Sequence, residues 1–270
     1  MFKTRLKTGV WVFIAVCVAL LFSDHPLIMS LIVGFLCVFS AYEMSIALKF
    51  QGRILHVALC LGELTVLLLM PEGLYKILLG ILFVGMVGFF GVLMHNLGRV
   101  EDLKKSEKIA VMASIPVFFS AIKYIRDLPE GLVTLTVAIL VCMITDSCAY
   151  LVGRQFGRHK MAPKISPSKT VEGSVGGTIA ASALLLLGAY WISITQDVTI
   201  SYWKLGIYLV TASFMGQFGD LCMSSVKRIA KLKDYGDLLP GHGGILDRFD
   251  SQLFVLPYTY LFCAVCGRIF

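Results

Sequence analysis

The sequence predicts an all-α, polytopic membrane protein of about nine transmembrane helices, and three observations carry that prediction. Of 270 residues, 57% are hydrophobic and 15% charged, against about 25% charged in a soluble domain. The apolar residues come in blocks, and a helix needs roughly 20 residues to cross a bilayer. The basic residues alternate between loops in step with those blocks. With a mean hydropathy of +0.83, the composition excludes an ordinary cytosolic enzyme and a disordered chain. The net charge of +7 belongs to loops flanking a membrane, where Lys and Arg collect on the cytoplasmic side, and is no signal for nucleic acid.

The blocks cover 9–22, 27–42, 54–70, 74–94, 109–124, 132–151, 174–194, 205–223 and 249–269. The shorter ones must borrow flanking residues. The first follows Lys3, Arg5 and Lys7, as in a secretory signal, but Ser23-Asp24-His25-Pro26 offers no small-x-small cleavage site, so it reads as an uncleaved span. Nine spans put the termini on opposite sides. Nineteen of the 24 basic residues then share the N-terminal side; the others are Lys76, Lys123, Arg126, Lys204 and Arg268. The N-terminus is therefore expected in the cytoplasm and the C-terminus outside, with every long loop on the inner face of the cytoplasmic membrane. The outer loops, Ser23–Pro26, Pro71–Gly73, Ile125–Gly131 and Thr195–Lys204, hold no domain. Residues 1–140 read as helices that embed the chain and offer a dimer surface. Residues 141–270 read as the part that carries the chemistry, with cytoplasmic loops 153–173 and 227–248. The eight cysteines lie in apolar blocks and read as small buried hydrophobes. Cys263 and Cys266 have redox spacing but no second pair or nearby His.

Polarity concentrates in three inner stretches. The loop 95–108 reads as a solvated helical connector. The stretch 146–177 opens with Asp146 inside an apolar helix, where a carboxylate is costly and marks a functional candidate. Asp146, Tyr150 and Arg154 share a helix face, and the helix should end near Gly153 or Gly157. Five basic residues follow, with Ser166, Ser168 and Thr170 beside Lys169; charge plus hydroxyl and N–H donors suits a polyphosphate. The same loop also suits a topology signal or contact with anionic lipid. Glu172 opens the next span, whose Gly173, Gly176 and Gly177 permit close helix packing.

The stretch 220–250 places Asp220 within an apolar helix, followed by Ser224, Lys227 or Arg228, and Lys231 at helical spacing. Pro240-Gly241-His242-Gly243-Gly244 requires a tight turn whose N–H groups can form an anion nest. Asp247 and Asp250 follow with Arg248 between them. Asp220, Asp247 and Asp250 would repel one another if bare, and magnesium, which takes oxygen ligands and substrate phosphate, relieves that. The bland alternative for Asp247 and Asp250 is helix capping, which cannot explain a mid-helix Asp220. A lone His242 in a Gly-rich turn is more often a hydrogen-bonding residue than a ligand. No Walker A, Ser-His-Asp or H-E-x-x-H pattern occurs.

Residues 224–250, SSVKRIAKLKDYGDLLPGHGGILDRFD, resemble the signature of the phosphatidate cytidylyltransferases, or CDP-diacylglycerol synthases. Ser224, Lys227-Arg228, Lys233-Asp234, Gly236, Pro240, His242-Gly243-Gly244, Asp247-Arg248 and Asp250 fill its positions. Residues 146–177 resemble the family's other polar region, with Ser168 where many members carry Lys. The first 140 residues match only in being apolar.

The resemblance implies that CTP and phosphatidic acid give CDP-diacylglycerol and pyrophosphate, that magnesium serves the reaction, and that the protein is a homodimer. A second, monovalent cation stays open. On this reading the phosphatidate oxygen attacks the α-phosphorus of CTP directly, with catalysis by positioning and electrostatics. Asp220 and Asp247 would hold magnesium, with Asp146 or Asp250 nearby. Ser166, Lys169 and Thr170 would bind the CTP phosphates, and Lys227, Arg228 and Arg248 would receive the lipid phosphate or pyrophosphate. Arg154, Lys164, Glu172, Ser224, His242, Gly243 and Gly244 complete the expected substrate-binding set. A CTP-dependent lipid kinase and an ion or solute transporter are the rival readings; concentration of polar residues on one side argues against transport.

Overall fold

The computed structural model describes residues 2–50, 62, 70–96, 98, 100–196, 199–239, 241 and 243–270. Its helices in chain order are α1 (Phe2–Leu21), α2 (Pro26–Ala47), α3 (Glu72–His95), α4 (Lys105–Arg126), α5 (Gly131–Phe156), α6 (Val171–Gln196), α7 (Tyr202–Ile229), α8 (Leu246–Phe249) and α9 (Gln252–Cys266). A short antiparallel hairpin, β1 (Lys160–Ala162) and β2 (Ser166–Thr170), joins α5 to α6. Among the described residues five helices, α2 through α6, are long and apolar enough to cross a membrane. Of the expected span 54–70, only residues 62 and 70 are among those described.

Several helix boundaries follow local chemistry. Pro26 starts α2, where a missing N–H costs nothing. Glu107 Oε2 accepts the Lys104 N–H at 2.8 Å to open α4. Helix α5 stops at Phe156, and Gly157 donates its N–H to the Gly153 carbonyl.

Three expectations need correction. The connector 95–108 is not helical as a whole: it holds one 3₁₀ turn, Val100–Asp102, before α4 begins. Within the expected loop 153–173, residues 160–170 pair as a short hairpin, a local exception to the all-α class. The last apolar block, 249–269, is helical only over Gln252–Cys266, in α9, which the short α8 precedes. Cys266 is exposed, unlike buried Cys37, Cys142 and Cys222, and Cys60 lies outside the described residues.

One core runs through both halves of the chain, with α2, α3 and α4 packed against α7 and α9. Tyr75 stacks on Tyr124 at 3.7 Å, and Phe254 of α9 meets Phe83, Phe90 and Phe118 edge-on or tilted. Large apolar side chains such as Leu31, Val84, Ile179 and Trp191 face outward, which suits lipid. Polar contacts sort the loops into two ends. At one, Arg126 pairs with Asp24 and donates from Nε to Ser23 Oγ at 2.8 Å, while Ser201 N–H bonds the Ile269 carbonyl at 3.0 Å. At the other, Lys49 meets Glu101 at 2.5 Å, and Arg228 Nε donates to the Ile165 carbonyl at 3.0 Å.

Candidate active site

The site forms where α5, α6 and α7 approach closely. Small residues permit this, as the glycine pattern of α6 predicts. A Cβ on Gly177 would lie 2.8 Å from the Ala149 backbone, and one on Gly173 would lie 2.6 Å from the Ala149 carbonyl. On α7, a Cβ on Gly219 would meet the Asp250 carbonyl at 3.0 Å. Buried polar pairs hold the crossings: Thr145 with Ser213 at 2.9 Å, and Gln217 Nε2 donating to Thr178 Oγ1 at 3.0 Å.

This packing gathers acids that lie far apart in the chain. Asp146 on α5, Asp220 on α7 and Asp250 after α8 stand close enough to interact electrostatically. Asp146 Oδ2 accepts a hydrogen bond from Ser251 Oγ at 3.3 Å, and Asp250 Oδ1 accepts one from the Ser251 N–H at 2.8 Å. Asp220 is ion-paired with Lys169 of β2, and Ser224 Oγ donates to its Oδ1 at 3.2 Å. Thus β2 and α7 meet through a salt bridge, and Arg228 fastens the hairpin a second time at Ile165.

Asp247 sits differently. Its side chain is 1% exposed. Oδ1 accepts from Lys227 Nζ at 2.8 Å, and Oδ2 accepts the N–H groups of Tyr235 at 2.7 Å and Gly244 at 3.0 Å. Lys227 also lies over the Tyr235 ring, 5.3 Å from its centroid. The expected tight turn exists: Gly241 and Gly243 have φ of 78° and 82°, and Leu239 N–H bonds the Gly243 carbonyl at 2.9 Å. The N–H groups at its end and just beyond it already have partners within the chain. Gly244 N–H goes to Asp247, and the Ile245 and Leu246 N–H groups go to Glu43 on α2, at 2.9 and 2.8 Å.

The remaining expected residues divide by environment. Arg154, Lys164 and Arg248 are exposed, and Ser166 is half-buried on β2. Thr170 is buried, and its Oγ1 accepts the Gly173 N–H at 3.1 Å, capping α6. Glu172 accepts the N–H groups of Arg158 and His159 at 3.0 and 3.1 Å and bonds His159 Nδ1 at 2.5 Å. It thereby ties the end of α5 to the start of α6. Pro240 and His242 lie outside the described residues. Glu43 is the residue that the sequence reading passes over. Its signal was an acid directly after the apolar block 27–42, the same kind of signal that singled out Asp146.

Residues 3–266 match the family model described as the cytidylyltransferase family. The chain belongs to that family. Similar relatives include proteins named phosphatidate cytidylyltransferase from Staphylococcus saprophyticus, 50% identical over 128 residues, and from Bacillus subtilis, 44% identical over 142 residues. One from Staphylococcus aureus is 47% identical over 128 residues. The matches cover 47%, 52% and 47% of this chain, and 48%, 51% and 48% of those relatives. The chain therefore aligns with about half the length of the curated relatives it matches. Within the cytidylyltransferase family frame, the paired Lys169 and Asp220, flanked by two more carboxylates, are groups suited to phosphate and cation chemistry.

Proposed function

We propose that this protein is a phosphatidate cytidylyltransferase, which transfers CMP from CTP to phosphatidic acid and releases pyrophosphate. One observation carries the reading: the hairpin 160–170 and helix α7 are joined by the Lys169–Asp220 pair and the Arg228–Ile165 bond. The two polar stretches thereby form one site in a chain of apolar helices. The relatives' names support the same activity. Phosphatidate is held by its acyl chains and CTP arrives from water, so the reaction suits a site at the end of a helix bundle. The sorting of the loops into two ends supports nine spans with this end in the cytoplasm, at the inner membrane face.

The residues fit a hard divalent cation in part. Asp146, Asp220 and Asp250 bring carboxylate oxygens together and would hold magnesium, which supplies charge against a polyphosphate. Among the described residues no three His, Cys, Asp or Glu already close on one point. Asp247 fits less well, since its oxygens already accept three donors.

The chain's own residues supply the rest. Lys169 exchanges Asp220 for the CTP phosphates, with Ser166 beside it on the same strand. Arg228, at the end of α7, and exposed Arg248 would receive the lipid phosphate and departing pyrophosphate, while Lys227 stays buried against Asp247 and sets the end of α7. Attack by the phosphatidate oxygen needs no general base, because a phosphate monoester is anionic near pH 7, its second pKa being about 6. A homodimer through residues 1–140 completes the proposal.

The test is an assay of purified protein with CTP, phosphatidate and magnesium. Label from the α-phosphate of CTP should enter lipid, and γ-label should leave as pyrophosphate. Entry of γ-label into lipid would instead identify a lipid kinase.

A further inference from the structure

Helix α2 carries an acid that the phosphate chemistry does not use. Glu43 is 4% exposed, yet its partners lie more than 200 residues away in sequence. Oε1 accepts the Ile245 N–H at 2.9 Å and Oε2 the Leu246 N–H at 2.8 Å. Asp247 takes the preceding N–H, that of Gly244, at 3.0 Å. Two carboxylates from opposite halves of the chain thus close three consecutive N–H groups, and they stand near enough to repel each other. A buried carboxylate is tolerated only where hydrogen bonds compensate it.

The glycines of the signature are shaped around this contact. A Cβ on Gly244 would stand 2.4 Å from Glu43 Oε1, and one on Gly236 would stand 2.9 Å from it. Positive φ occurs at Gly241, Gly243 and Gly267, not at Gly236 or Gly244. A side chain at either position would take the room that the Glu43 carboxylate fills, while backbone conformation sets no such limit there.

We propose that Glu43 is a positioning residue. From the N-terminal half it fixes the turn Gly243–Leu246, and through Gly244 it sets Asp247 and Lys227 for the reaction. The kinetic part rests on the cytidylyltransferase reading; the structural part does not.

The experiment compares the full chain with Glu43→Gln and Glu43→Asp in detergent, by amide hydrogen exchange and by steady-state kinetics. Glutamine keeps the shape but turns an NH2 toward a backbone donor. Exchange in peptides covering 235–250 should rise about tenfold or more, with α5 and α6 unchanged. Turnover should fall about 10- to 100-fold, with KM for CTP and phosphatidate within about threefold, as expected for misplaced but bound groups. Glu43→Asp should recover part of both.

Unchanged exchange over 235–250, or unchanged turnover, overturns the proposal. So does loss of protection across all helices, which would make Glu43 a general fold contact. If Glu43→Gln does not fold, Gly236→Ala displaces the carboxylate without removing it and should give the same pattern; wild-type exchange and turnover there also overturn it. If wild type transfers no CMP, the functional reading fails while the exchange result still decides whether Glu43 fixes the turn.

Discussion

Lys227–Asp247 and Lys169–Asp220 are both lysine–aspartate pairs that join α7 to a neighbouring segment, and their surroundings set them apart. In the first, the side chains are 10% and 1% exposed, and two backbone N–H groups complete Asp247. In the second, the exposures are 22% and 23%, Ser224 also donates to Asp220, and Asp146 and Asp250 stand alongside. A buried, saturated pair holds a loop. A half-open pair with excess negative charge nearby can exchange partners for a ligand. The sequence reading assigns magnesium to both Asp220 and Asp247, and burial separates them.

The sharpest break in this comparison is Asp220→Asn. It should lower turnover about a thousandfold, since a preorganised charge is lost at the reacting phosphates, while thermal melting in detergent stays near wild type. Retained turnover would remove Asp220 from the site. Asp247→Asn should also abolish activity, but for a different reason. It leaves Lys227 buried without its counter-charge, at a cost of about 3–5 kcal/mol, so melting should fall steeply. Equal melting of the two variants would erase the distinction between the pairs.

Smaller effects sharpen it further. Lys169→Ala should raise KM for CTP about tenfold and KM for phosphatidate little, following loss of one charge-assisted contact of about 1.5–3 kcal/mol less its exposure. An unchanged KM for CTP would place Lys169 outside nucleotide binding. Arg228→Lys should be mildest. It loses the guanidinium bond to the Ile165 carbonyl while keeping charge, so turnover should fall only about two- to fivefold. Proteolysis of the hairpin 160–170 should quicken in the same variant.

The long apolar helices, and the acids stranded in or beside them, were legible because each is a local mismatch between residue type and solvent. Asp146 and Asp220 stand out for that reason. The hairpin was not legible, since a basic Pro-containing loop reads the same whether or not its strands pair. The turn at Gly241–Gly244 was legible as a turn. What it did not reveal is that the N–H groups just after the turn, those of Ile245 and Leu246, are taken by Glu43, from a helix some 200 residues earlier in the chain. Thr170 and Glu172 show the same limit. Their oxygens suit a phosphate site, yet in the fold one caps α6 and the other binds Arg158 and His159.

By itself the sequence determined where helices can span, which side chains carry charge, and which residues bear the family's signature. These follow from backbone propensity and transfer between water and lipid, which act residue by residue. Only the tertiary structure decided which carboxylate meets which donor. That choice depends on helices approaching through Gly177 and Gly219, and such contacts between distant segments leave no periodic trace in either segment alone.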